Sequence, residues 1–130
     1  MRFLDTYRPQ IFAVARIAFG VLFVSHGLQK AFMMFGGAHA EMPEAARYLI
    51  GWMELVGGAM IAIGFKTRIA AFLSSGMMAV AYFAVHQKAG FLPIQTHGES
   101  AAIYSWAFLM IACEREWVWA LDSGFRTAKT

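Results

Sequence analysis

The chain is poor in the residues that small soluble domains rely on. It has one cysteine, Cys113, in 130 residues. That excludes an intrachain disulfide framework, a Cys-x-x-Cys redox pair and a cysteine-rich zinc site. Only three residues are proline, and only 15% are charged, against about 25% charged in ordinary soluble domains. No Ser/Gly linker, run of like charge or internal repeat interrupts the chain. What fills it is apolar, at 59% of residues, against about 45–50% in soluble domains. A soluble domain this small has too much surface to hide so many large apolar groups. The composition therefore excludes a soluble enzyme, a disordered chain and a nucleic-acid binder. The net charge of +3 would otherwise suggest nucleic acid. Here the basic residues fall at the ends of apolar segments, which is a membrane pattern.

Four apolar segments predict an all-α membrane protein, a four transmembrane helix bundle forming a single domain. The helices are expected over about 10–35, 48–65, 68–88 and 98–119. Between them, the stretch Gly36–Arg47 with Pro43, then Lys66-Thr67-Arg68, then Lys88–Gly98 with Pro93 read as turns and loops. The third segment is free of formal charge over 19 residues between Arg68 and Lys88. The fourth has only 13 residues, Ala101 to Cys113, before Glu114-Arg115-Glu116, short against the roughly 20 of a spanning helix. It is expected to extend to Glu99 at one end and toward Trp117 and Trp119 at the other, where tryptophans suit an interfacial belt. Ala38-His39-Ala40 has the small-x-small form of a signal cleavage site. The apolar stretch before it is too long and holds Arg16 and Lys30, which predicts an uncleaved helix.

Lys and Arg set the expected topology. With a cytoplasmic N-terminus, the inside carries Arg2, Arg8, Lys66, Arg68, Arg115, Arg126 and Lys129. The outside carries Arg47 and Lys88, with Lys30 near the outer end of its helix. This asymmetry predicts both termini inside. Small residues mark packing seams: Gly20 and Gly27, Gly51 and Gly58, and Gly57 and Gly64 are each seven apart, and Ala71, Ser75 and Ala79 step by four.

Ionisable groups inside a spanning helix are costly and face a partner or a wet cavity. At 100° per residue, Arg16, Phe19, Phe23, His26 and Lys30 share one face of the first segment. Ser75, Tyr82 and His86 share a face of the third. Glu54 lies one helical step from Gly57 and Gly58, and Glu99 opens the fourth segment with Trp106 on its face. The 1.5 Å rise places Glu54 about 4 Å, His26 about 6 Å, and Lys30, His86 and Glu99 about 10–13 Å outward of the bilayer centre. Arg16 falls about 9 Å inward. The expected arrangement is a polar pocket in the outer half of the bundle, with Glu54 and His26 as the depth-matched acid–base pair. Arg16 either reaches Glu54 or extends to the cytoplasmic headgroups. The competing reading is structural, with buried ion pairs fixing helix register and Lys30 and Glu99 snorkelling or capping. Met33-Met34 and Met77-Met78 are compatible with a soft metal, but flexible core filling explains them better, and no metal site is expected. Cys113 reads as a small apolar residue.

Three stretches together carry a family resemblance: RIAFGVLFVSHGLQKAF from Arg16 to Phe32, MELVGGAMIAIGFKTRIAA from Met53 to Ala71, and HGESAAIYSW from His97 to Trp106. The chain resembles the DoxX family of small bacterial membrane proteins. The matching positions are Arg16, Gly20, His26-Gly27 and Lys30; Glu54, Gly57 and Gly58; Gly64, Thr67, Arg68, Ala70 and Ala71; and Gly98-Glu99. The resemblance spans about residues 10 to 122 and ends in Trp119-Ala120-Leu121-Asp122. It implies a four-helix inner-membrane protein and an oxidoreductase association, with quinone as the possible cofactor and a partner supplying the redox group.

Three functions follow. The first is a subunit or accessory of a quinone-linked oxidoreductase, with Arg16, His26, Lys30, Glu54, Tyr82, His86 and Glu99 as ligand-binding candidates. The second is a non-enzymatic binder or transporter of a small molecule or lipid, in which Arg16 and Lys30 favour an anion. The third is a membrane scaffold for a partner protein. The expected partners are the lipid bilayer, a soluble or membrane redox partner, and further copies of the chain as a homo-oligomer.

Overall fold

The computed structural model describes residues 1–36 and 42–127. Ala38-His39-Ala40 and Lys129, which enter the sequence arguments above, lie outside them. Regular structure among the described residues is entirely helical. The helices are α1 (Arg2–Phe32), α2 (Glu44–Ile63), α3 (Thr67–Ala81), α4 (Pro93–Thr96), α5 (Glu99–Cys113) and α6 (Leu121–Thr127). After Ala81, α3 runs on through a π-helical turn, Tyr82–His86, and a 3₁₀ turn, Gln87–Ala89. Three helices are long and apolar enough to cross a membrane: α1, α2 and the run Thr67–His86. The helix α5 is apolar but has 15 residues, about 22 Å, against a hydrocarbon layer of about 30 Å.

Several helix ends differ from expectation: α2 begins at Glu44 rather than near residue 48, and the start of α1 and the end of α5 each have a local cause. The helix α1 begins at Arg2 and runs through Pro9. Proline removes the hydrogen bond to the carbonyl four residues back and crowds that carbonyl. That carbonyl belongs to Asp5, in the exposed and charged first turn. The helix α5 stops at Cys113, and Glu114 turns extended. Trp117 and Trp119 therefore lie beyond the helix rather than on a continued span. Trp117 is buried, and Trp119 takes the left-handed conformation, φ 53°.

The chain forms two compact units, residues Met1–Thr67 with Glu116–Thr130, and residues Arg68–Arg115. The first is built on an antiparallel α1–α2 hairpin whose backbones nearly touch. A Cβ on Gly27 would lie 2.5 Å from the Leu55 nitrogen, and one on Gly51 would lie 2.8 Å from the Ala31 nitrogen. A Cβ on Gly20 would lie 2.6 Å from the Ala62 nitrogen, and one on Gly58 would lie 2.7 Å from the Val24 nitrogen. Each seven-residue glycine pair thus runs along the other helix, the close approach that small residues permit in apolar helices. The seam fixes the register of α1 on α2. Gly64 ends α2 in the left-handed conformation, φ 74°. Its neighbour's N–H, on Phe65, bonds back to the Met60 carbonyl at 2.9 Å, the usual glycine stop.

In the second unit, α3 and α5 are antiparallel. Arg68 Nε donates to the Ala112 carbonyl at 3.0 Å and Ser75 Oγ to the Ser105 carbonyl at 2.7 Å. Ala71 and Ser75 are buried, so the small-residue steps read from the sequence do mark a packed face.

The seam makes a sharp prediction. Gly27→Ala forces a Cβ into backbone and should destabilise the hairpin by about 1–3 kcal/mol. Gly76→Ala, at a helical glycine with open space around it, should be neutral or slightly stabilising. Melting of the purified variants in detergent separates the two. Equal effects would contradict the seam.

Candidate functional site

In the first unit the ionisable side chains collect at the two ends of the α1–α2 seam. Toward the α1 C-terminus, Lys30 Nζ lies 2.7 Å from each oxygen of the Glu54 carboxylate. Both residues are buried, Glu54 almost completely. Glu54 sits at the middle of α2. Lys30, in the last turn of α1, reaches back along the groove to meet it. Arg47, in the first turn of α2, donates to the Lys30 carbonyl and stacks on the Tyr48 ring with 4.5 Å to the centroid. Arg47 thus satisfies one of the carbonyls that every helix C-terminus leaves open and holds the backbone that carries the ammonium. His26, one turn before Lys30, is half-buried and engaged in contacts of its own. The partner that both Glu54 oxygens take is Lys30, where depth alone had pointed to His26.

Burying this pair costs desolvation, and the mutual attraction offsets it only while both partners are present. The arrangement is a carboxylate and an ammonium in direct contact between apolar helices. Chemically, such a pair can hold or pass a proton, or it can fix helix register.

Arg16 stands about 21 Å along α1 from Lys30 and neither reaches Glu54 nor extends to headgroups. It is fully buried. Its Nη1 donates to the Ile61 and Ala62 carbonyls at 2.6 and 2.8 Å, and its Nη2 to the Trp119 carbonyl at 2.7 Å. Ile61 and Ala62 are at the C-terminus of α2, where carbonyls lack helical partners. The planar fork of arginine suits several oxygens at once, which an ammonium does not. The Trp117 ring lies against the guanidinium, 5.5 Å to the centroid. The Trp117 ring therefore serves Arg16, while Trp119 offers only its backbone carbonyl and leaves its ring exposed. Ala120 packs against Gly64 so closely that a Cβ there would collide.

Asp122 completes this end. Its carboxylate accepts from the Lys66 and Thr67 backbone N–H groups at 2.8 Å each and from the Thr67 hydroxyl at 2.7 Å. Partial burial pushes its pKa up, but the Thr67 and Lys66 hydrogen bonds and the Arg16 charge outweigh that and hold it below the usual carboxylate value. Sequence reasoning missed Arg47, Trp117 and Asp122 as site builders. Arg47 had counted only toward topology, and Asp122 only as part of the closing Trp119-Ala120-Leu121-Asp122 stretch.

The second unit holds Tyr82, His86 and Glu99. His86 Nδ1 lies 3.2 Å from the Thr96 carbonyl, so the tautomer with Nδ1–H donates there. The Tyr82 hydroxyl donates to the Phe91 carbonyl at 3.4 Å. Both side chains tie the loop after α3 back onto the helix that carries them. A Cβ on Gly98 would lie 2.8 Å from His86 Cβ, so the same loop passes tightly over the π turn. Glu99, in the first turn of α5, is exposed.

These features define an all-helical membrane protein with paired and capped charges inside apolar helices. The chain belongs to the DoxX family, whose model matches residues 11–87. Gly98-Glu99 lies beyond the matched residues. A relative from Haemophilus influenzae (strain KW20 / Rd), named as an uncharacterized protein, is 35% identical over 132 residues, covering 96% of this chain and 98% of the relative. No solved structure matches the chain.

Two predictions arise here. Lys30→Met and Glu54→Met should each destabilise the protein by about 3–5 kcal/mol, and the double variant by much less, because removing both partners leaves no buried unpaired charge. A double-mutant cycle on melting temperature checks this; additive losses would refute it. Asp122→Asn should destabilise at neutral pH. Because the folded value of Asp122 is depressed, its contribution is complete above about pH 4 and lost as pH falls through the folded value. The gap between wild type and Asp122→Asn in melting temperature should therefore narrow as pH falls below about 4.

Proposed function

We propose that the chain is a multi-pass inner-membrane protein with four spanning helices and both termini in the cytoplasm. We propose further that it works as a subunit or accessory of a quinone-linked oxidoreductase. One observation carries this reading: a carboxylate at the middle of one apolar helix and an ammonium in the last turn of another, in contact and buried between them. Intramembrane ionisable groups mark proton or substrate paths more often than inert packing. The α5 helix, at 15 residues, would cross only with help from the loop segments that flank it.

A bound quinone would supply two-electron chemistry that consumes two protons. The electrons would come from a partner protein. Glu54 is the group able to give up and take back a proton, and Lys30 holds the carboxylate in place and balances its charge. Arg47 keeps the Lys30 end of α1 fixed. Arg16 takes no part, since its contacts go to backbone carbonyls.

A scaffold role is the second reading, favoured by the glycine seam and the Arg16 contacts, which fix the hairpin without chemistry. An anion binder or transporter has less support, because Arg16 and Lys30, the cations it would use, are both committed within the protein.

The test uses purified protein in nanodiscs with decylubiquinone and a flash-generated deazaflavin reductant. Wild type should bind the quinone and take up protons as it is reduced. Glu54→Gln should slow proton uptake at least tenfold with affinity retained, and Glu54→Asp should restore it. No binding by wild type, or uptake unchanged in Glu54→Gln, would overturn the reading.

A further inference from the structure

We infer that the Arg16 end of the first unit holds a buried water site, in which one water molecule accepts from both the Arg16 Nε–H and the Trp117 Nε1–H. This site stands apart from the Lys30–Glu54 pair and does not rest on the quinone-linked reading.

The observation is a pair of buried donors in contact. Arg16 is 0% exposed and Trp117 is 7% exposed. Among the described residues, neither Arg16 Nε nor Trp117 Nε1 finds an acceptor. The guanidinium carbon lies 5.5 Å from the indole centroid. Buried polar groups in folded proteins almost always have a partner, because a donor taken out of water without one loses its hydration for nothing. Two such donors side by side mark one place where an acceptor belongs. A water accepting from two donors at about 2.9 Å each holds them no more than about 6 Å apart, which is the scale of this contact.

Neither donor can turn to the protein instead. The terminal nitrogens of Arg16 are fixed on the Ile61, Ala62 and Trp119 carbonyls. The guanidinium is planar, so those contacts also set the direction of Nε–H. Trp119 takes the left-handed conformation and has its carbonyl held by Arg16, which ties down the chain two residues from the indole. Both groups donate and neither accepts, so they cannot satisfy each other.

Charge selects water over a small anion. The Arg16 contacts at Ile61 and Ala62 lie at the C-terminus of α2, where the helix dipole is negative. The Asp122 carboxylate also acts on Arg16 electrostatically. The cation is thus already answered, and both of these would repel an added anion. Size agrees. A Cβ built on Gly64 would lie 2.3 Å from the Ala120 Cβ and 2.8 Å from Arg16 Nη1, so this end is closely packed. A water also has hydrogens to give. Gln10 Oε1, six residues before Arg16 on α1, is a buried acceptor with no donor among the described residues. Two donors and one acceptor make the three partners that a buried water typically has. The water would fasten the segment after α5 to α1 and complete the brace that Arg16 builds.

The test is proton-detected solid-state NMR of the ¹³C,¹⁵N-labelled protein in deuterated phosphatidylcholine bilayers, with magnetisation started on water. Correlation to their own side-chain carbons assigns the Trp117 Nε1–H and Arg16 Nε–H signals. Both should receive water magnetisation about threefold faster or more than the Phe23 amide, at mixing times too short for hydrogen exchange. Phe23 is a dry reference, fully buried within α1. Replacing chloride with bromide in the buffer should leave both signals where they are. Transfer to either donor as slow as to the Phe23 amide would overturn the shared water. A bromide-dependent shift of the two N–H signals would assign the site to an anion and overturn it equally. Neither failure would touch the proposed function, which Glu54 carries.

Discussion

The backbone contact between α1 and α2 is the constraint on which the first unit depends. Four glycines let the two helices meet at distances that any Cβ would prevent. Once they meet there, the register leaves no freedom. Lys30 must come to Glu54 at one end, and Arg16 must come to the last carbonyls of α2 at the other. In an apolar medium each of these groups would be several kcal/mol too costly alone. The seam therefore does more than pack two helices. It makes the buried charges affordable by delivering their partners.

The two ends solve the same problem differently. Glu54 is answered by a formal charge, with its ammonium held between helices. Arg16 is answered by backbone dipoles, from a helix terminus and from the Trp119 segment. The first solution leaves a titratable pair able to act. The second leaves a fixed cation whose two terminal nitrogens are spent on structure. Asp122 extends the second by capping the start of α3 at Thr67. Sharing one helix face made Arg16, His26 and Lys30 look alike, but the structure separates a buried ion pair from a guanidinium braced on backbone carbonyls.

Much of this was legible in the sequence. Apolar runs gave the helices, though not all of their ends, and two of the three seven-residue glycine pairs gave the seam. Glu54 and Lys30 stood out because ionisable residues are rare in such helices. Their pairing was not legible. Depth estimated from segment midpoints shifts by several Å when an end moves by a few residues, and α2 begins at Glu44 rather than near residue 48. That change moves Glu54 to the helix middle, and a long lysine side chain spans the remaining offset from Lys30. Trp117 and Asp122 escaped because their partners, Arg16 and Thr67, lie far away in sequence, the latter by 55 residues, and no periodicity reports such contacts. Tyr82 and His86 were seen, but their roles as loop anchors depend on the π turn, which leaves no mark on helical spacing.

The Lys30–Glu54 contact is open to direct observation. Solid-state NMR of the protein in bilayers, with ¹⁵N-lysine and ¹³C-glutamate labels, reports ammonium-to-carboxyl proximity through dipolar coupling. The account predicts one strong cross-peak between Lys30 Nζ and the Glu54 carboxyl, matching N–O distances of 2.7 Å, and its disappearance in Glu54→Gln. No coupling between these two groups in the folded wild-type protein would contradict it.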